Sequence, residues 1–107
     1  SSIPAEIFEK KKESYYHAII FLTFKLLGYM VEAEVRTSKG RIDAVVNYDN
    51  VVFLFEFKVN ASTSQTALNQ IFEREYFQKY LQPNKEIYLI GMNCYEKEIK
   101  EVTIEKM

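Results

Sequence analysis

"RIDAVVNYDNVVFLFEFK", residues 41–58, decides how this 107-residue chain folds. Asp49 and Asn50 tolerate positive φ and suit a two-residue hairpin loop, which joins strands over 41–48 and 51–59 and pairs Tyr48 with Val51. That register sets Asp43 directly opposite Glu56. In the second of these strands Val51, Phe53, Phe55, Phe57 and Val59 alternate with Val52, Leu54, Glu56 and Lys58. The strand is therefore apolar on both sides until Glu56 and Lys58 appear at its end, where a buried sheet opens to solvent.

Like charges opposite one another weaken a strand pair, so the facing carboxylates need an explanation. Side chains two apart share a face, which adds Lys58 to the cluster. Carboxylates this close resist joint ionisation unless a cation neutralises them. A divalent metal does so. Mg²⁺ or Mn²⁺ would be held by Asp43, Glu56 and the backbone carbonyl of Phe57, with waters and phosphate oxygens completing the shell. Lys58 could then orient or deprotonate an attacking water, or steady developing charge on a phosphate.

Outward from this hairpin, Lys39-Gly40 marks a turn to an earlier strand over 30–37, making an antiparallel meander. Before it, Pro4 and the spacing of Ile7, Phe8, Tyr15, Ile19, Leu22 and Leu26 predict a helix over 5–28 that Gly28 ends. Because "HAIIFLTFKLLGY" is apolar on most faces, that helix is expected to be buried against the sheet. After the hairpin, Ser62 and Ser64 are cap candidates for an amphipathic helix through Leu81, stopped by Pro83-Asn84. "EIYLIGMNC", 86–94, reads as a buried strand, and "KEIKEVTIEKM" as a charged edge strand. The strand, helix, strand run implies a right-handed crossover and a parallel pair. The expected order is αβββαββ on a mixed sheet.

Length and composition bound the rest. One domain over 1–107 is expected, with a core that needs no disulfide. The single Cys94 excludes an intrachain disulfide and a multi-cysteine zinc site, and the cytoplasm is the default compartment. No apolar run reaches the length of a membrane span. The net charge of −1 and pI near 5.9 give no global basic footprint, so contact with nucleic acid would be local or metal-dependent. Lys10, Lys11 and Lys12, with Arg36, Lys39 and Arg41, are candidates for phosphate contact, although such a run is usually a solvated face. His17 is read as a structural imidazole.

The pattern of an Asp, a short β-turn, then Glu-x-Lys at the end of a buried strand and a following helix resembles the PD-(D/E)XK nuclease superfamily. The residues carrying the likeness are Gly40-Arg41-Ile42-Asp43 and Glu56-Phe57-Lys58, with Ile42 replacing the usual proline. The resemblance implies an α/β, restriction-endonuclease-like αβββαβ core: a mixed central sheet flanked by helices, here with an extra C-terminal strand. Glu13 matches a further acidic position on the first helix. Gln70 matches a site residue on the second, as in exonuclease-like members, where a tyrosine follows about four residues after it. Here Tyr76 lies six residues on and Arg74 takes the nearer position. Arg41, Arg74 and Tyr76 are candidate substrate contacts. "ESYYHA", "EVRTSKGRIDAVV" and "ALNQIFEREYFQKY" look closest to bacterial domains found C-terminal to an AAA-type ATPase-like domain, so the chain could be part of a longer one.

The expected function is Mg²⁺- or Mn²⁺-dependent hydrolysis of DNA phosphodiester bonds, with Asp43, Glu56, Lys58, Glu13 and Gln70 forming the site. The alternative is a catalytically inactive interaction or regulatory domain serving an ATPase-like partner, in cis or in trans. A junction-resolving homodimer would share the chemistry and require a symmetric interface.

Overall fold

The computed structural model describes residues 17, 18, 20–60, 63–96 and 98–107. Five strands form one sheet in the order β1 (Met30–Thr37), β2 (Gly40–Tyr48), β3 (Val51–Val59), β4 (Glu86–Tyr95) and β5 (Glu98–Lys106). β1, β2 and β3 are the expected antiparallel meander. β3 and β4 run parallel, and β5 closes antiparallel on β4 at the edge. Asp49 makes the hairpin turn with φ 51°.

Alternation along β3 divides the core. Val52 and Leu54 face helix α2 (Ser64–Glu73), packing with Leu68 and Ile71. Phe55 and Phe57 face the other way, toward Ile20 of the helical segment α1 over 20–26, which residues 17 and 18 also join. Burying apolar side chains on both faces gives the sheet its driving force, about 1.5–3 kcal/mol for each large one fully buried. Gly91 lets α2 lie close to β4: a Cβ there would come within 2.5 Å of the Ser64 carbonyl oxygen and 2.6 Å of the Leu68 nitrogen.

α1 ends as its glycine demands. Gly28 takes φ 87°, its N–H bonds the Lys25 carbonyl, and the Tyr29 N–H returns to the Phe24 carbonyl. This is the Schellman arrangement, closed by an edge contact between the Phe24 and Tyr29 rings. Full burial of the helix is not what forms. Ile20 is buried and Phe24 partly so, but Leu22 is 54% exposed and Leu26 87%. A helix lying on one sheet face can bury only the stripe that meets it.

The second helix also departs from expectation. It stops at Glu73, Glu75 adopts a left-handed φ of 50°, and Tyr76–Tyr80 continue as a 3₁₀ turn, η1. The break drops Tyr76 into the core, 2% exposed, with its hydroxyl against Gly40. Of the two cap candidates, Ser62 lies outside the described residues and Ser64 is the first helical residue. Thr63 stands at the N-cap without a side-chain cap bond.

Candidate active site

Asp43 sits where the meander's pairing lapses. Ladder pairs surround it at Ala33↔Ala44 and Val35↔Ile42 on one side and stop at Ala44↔Phe55 on the other. Ile42 packs in the α2-side core and Ala44 in the α1-side core, so the alternation slips by one at Asp43. Glu34, at the matching position of β1, has a φ of 50°. The turn register is therefore as expected, but regular pairing does not carry Asp43 to a place opposite Glu56. Instead, Asp43 Oδ2 accepts a hydrogen bond from the Phe57 N–H at 2.8 Å. The carboxylate is fastened to the peptide that links Glu56 to Phe57.

Glu56 is 2% exposed on the α2 side of β3, where Gln70 Nε2 donates to its Oε1 at 3.0 Å. Lys58, half-buried, follows on the same strand beside Asn93 of β4. Among the described residues Lys58 forms no ion pair. Glu13 lies outside the described residues.

The structure thus ties Asp43 to β3 and Gln70 to Glu56. It gives the other three candidates different surroundings. Arg74 Nη1 donates to the Lys39 carbonyl at 3.0 Å, holding the β1–β2 turn against α2. Tyr76 is packed beneath that turn. Arg41 is exposed and lies 3.9 Å from Glu34.

Two features escaped sequence reasoning. His17 packs at a tilt of 49° against Phe57, with ring centroids 5.0 Å apart, and its Nε2 is 3.5 Å from Asp43 Oδ2. Its position one helical turn after Glu13 was the available signal. The second is the anchorage of α2: the Ser64 N–H donates to Glu101 of β5, and the Ser64 hydroxyl bonds that of Thr103. This contact holds the Glu101 carboxyl below the usual carboxylate range, chiefly through the backbone bond from Ser64. Glu101 thereby supplies the cap that Thr63 does not.

Asp43, Glu56 and the peptides of β3 offer hard oxygen donors, suited to Mg²⁺ or Mn²⁺ rather than to a thiophilic metal. Among the described residues no three His, Cys, Asp or Glu side chains form a metal cage. A site with so few protein ligands matches a cation that keeps waters and takes substrate oxygens.

The profile of the PD-(D/E)XK nuclease superfamily matches residues 11–104. The chain belongs to that superfamily. Its mixed five-stranded sheet with helices on both faces is consistent with the restriction-endonuclease-like fold. Members of the PD-(D/E)XK superfamily typically use divalent metals. The chain is also 40% identical over 81 residues to the "Uncharacterized protein in vnfD 5'region" of Azotobacter chroococcum mcd 1. That match takes in 75% of this chain and 16% of the relative, so the chain spans about one sixth of that protein's length. No helix among the described residues is long and apolar enough to cross a membrane.

Proposed function

We propose that this PD-(D/E)XK domain hydrolyses phosphodiester bonds in DNA with Mg²⁺ or Mn²⁺. The observation that carries the reading is the bond from the Phe57 N–H to Asp43, which brings one carboxylate to the peptide adjoining the other. Asp43, Glu56 and the Phe57 carbonyl would hold the metal. When bound, the metal supplies Lewis acidity at the phosphate and an acidified water. Lys58 positions the water and balances charge gathering on the phosphate. Gln70 holds Glu56 in one orientation, and Glu13 supports the metal's waters.

Calorimetry with Mg²⁺ and Mn²⁺ on the unsubstituted chain and on an Asp43→Ala, Glu56→Ala double variant tests the metal assignment. Binding is expected in the first and lost in the second. Cleavage of single-stranded, duplex and branched DNA tests the chemistry, with Lys58→Ala expected to lower the rate by about 10²-fold or more. Equal cleavage by Lys58→Ala would remove Lys58 from the reaction.

A second reading is favoured by a different observation. An apolar hollow of about 330 Å³ opens between α1 and β5, lined by Phe24, Tyr29, Phe53, Met92 and Ile104 among others. Leu26 and Met30 are also exposed. An inactive interaction domain, covered by an ATPase-like domain of the same or a partner chain, would use such a surface. Metal binding without cleavage of any of the three DNA forms would favour it.

A further inference from the structure

Arg36 and Arg41 are direct partners in the β1–β2 ladder. Paired residues in an antiparallel ladder point the same way, and like charges so placed destabilise the strands. Among the described residues little offsets the repulsion. Arg41 pairs there only with Glu34, at 3.9 Å, with both side chains more than half exposed, a pairing of small worth in water. Among the described residues Arg36 forms no ion pair.

The two arginines border open space. One hollow, about 270 Å³, is lined by Arg36, Thr37, Gly40 and Arg41. A larger cleft, about 660 Å³, runs between the β1–β2 turn and η1 and is lined by Arg36, Ser38, Gln78 and Lys79 among others. Arg36 and Thr37 belong to both. The cleft walls are fixed to each other: Arg74 bonds the Lys39 carbonyl, Lys39 Nζ meets Glu75 Oε1 at 2.9 Å, and Gln78 Nε2 bonds Glu75 Oε2 at 2.7 Å. Glu75 is thus engaged on both oxygens, leaving Arg36 and Lys79 to set the charge of the cleft. Lys79 lies over the Tyr80 ring at 5.5 Å but, like Arg36, forms no ion pair among the described residues; preformed walls and cations without a counter-charge are what an extended polyanion needs.

We propose that this cleft is a track for the phosphodiester backbone of the nucleic acid strand being cut, gripping it beside the metal site through Arg36 and Lys79. The proposal rests on the nuclease reading and adds where the strand runs. Asp43 is three residues along β2 from Gly40, about 10 Å in an extended strand. A strand lying in the cleft would therefore reach the metal site within about two nucleotides, since its charges are spaced by at least the 3.4 Å axial rise per strand. An acidic chain with pI near 5.9 would in this way hold a polyanion through one local cluster.

The test is the salt dependence of DNA affinity, measured in EDTA so that it does not depend on metal or cleavage. A duplex and a single-stranded oligonucleotide would be titrated against the unsubstituted chain, Arg36→Ala/Lys79→Ala, and the charge-keeping Arg36→Lys/Lys79→Arg. Loss of two phosphate contacts should reduce the slope of log K against log salt by about 1.8 for duplex and about 1.4 for single strand, with the charge-keeping variant close to the unsubstituted chain. Equal slopes for the alanine variant and the unsubstituted chain, or no DNA binding by the unsubstituted chain, would overturn the track. Failure of the nuclease reading would appear separately, as no Mn²⁺-dependent hydrolysis of bis(p-nitrophenyl) phosphate by the unsubstituted chain. That small diester reaches the metal site without needing the cleft.

Discussion

The Asp43 carboxylate and the Phe57 N–H meet at 2.8 Å across the gap where the β2–β3 ladder has stopped. A side chain replaces the missing main-chain acceptor, so one residue both closes the sheet and presents charge at its end. The two roles can be separated by substitution. Asp43→Asn keeps an amide oxygen that can accept from Phe57 and should cost about 1 kcal/mol, whereas Asp43→Ala leaves that N–H without its acceptor and should cost about 2 kcal/mol. Urea denaturation measures the difference. Both variants should lose Mn²⁺ affinity in calorimetry.

Gly91→Ala puts a methyl group where backbone atoms of Ser64 and Leu68 already stand. Neither atom is the end of a flexible side chain, so α2 must shift as a whole. Overpacking of this kind costs about 1–3 kcal/mol. Thermal denaturation should register the loss, and DNA cleavage should fall with it, because Gln70 travels with the helix.

Glu101 should appear in the acid limb of stability. Its folded-state pKa lies below the ordinary 4.5 because Ser64 donates to the carboxylate, so its contribution is present above that value and is lost as pH falls through the folded pKa. Melting temperatures of the unsubstituted chain and Glu101→Gln, compared from neutral pH downward, should differ most at neutrality and converge in acid. A constant gap would show that charge at this position is immaterial.

At the alkaline end, the Tyr80 phenol is pushed up from 10.0 to about 12, by burial first and by the nearby Glu32 charge second. The folded chain holds this proton more tightly than the unfolded chain. Its contribution is complete below pH 10 and is lost as pH rises toward 12. Absorbance titration should show a tyrosine ionisation near pH 12, and Tyr80→Phe should remove it and flatten the alkaline decline of the melting temperature.

Much of this architecture can be read directly from local pattern. Met30–Thr37 and Val51–Val59 form as expected because turn residues and alternating apolar positions fix strand ends and faces. The parallel pairing of β3 with β4 follows from chain connectivity. Three features depend on partners distant in sequence. The alternation slip at Asp43 accompanies the left-handed Glu34 on another strand. The break at Glu75 accompanies a tyrosine packed beneath the β1–β2 turn. The cap on α2 comes from Glu101, 37 residues beyond the nitrogen it accepts from. Periodicity has no access to any of these, whereas Glu56 and Lys58 could be singled out because they interrupt an apolar run.

The anchorage of α2 by β5 has a temporal side. During synthesis Ser64 is added 37 residues before Glu101, and at about 5–20 residues per second the interval is roughly 2–7 s. Throughout it, the helix that steadies Glu56 through Gln70 lacks the carboxylate that fastens its first turn. On the proposed chemistry, Glu56 gains its fully anchored support only once β5 has been made, so the site is completed late in the synthesis of the domain.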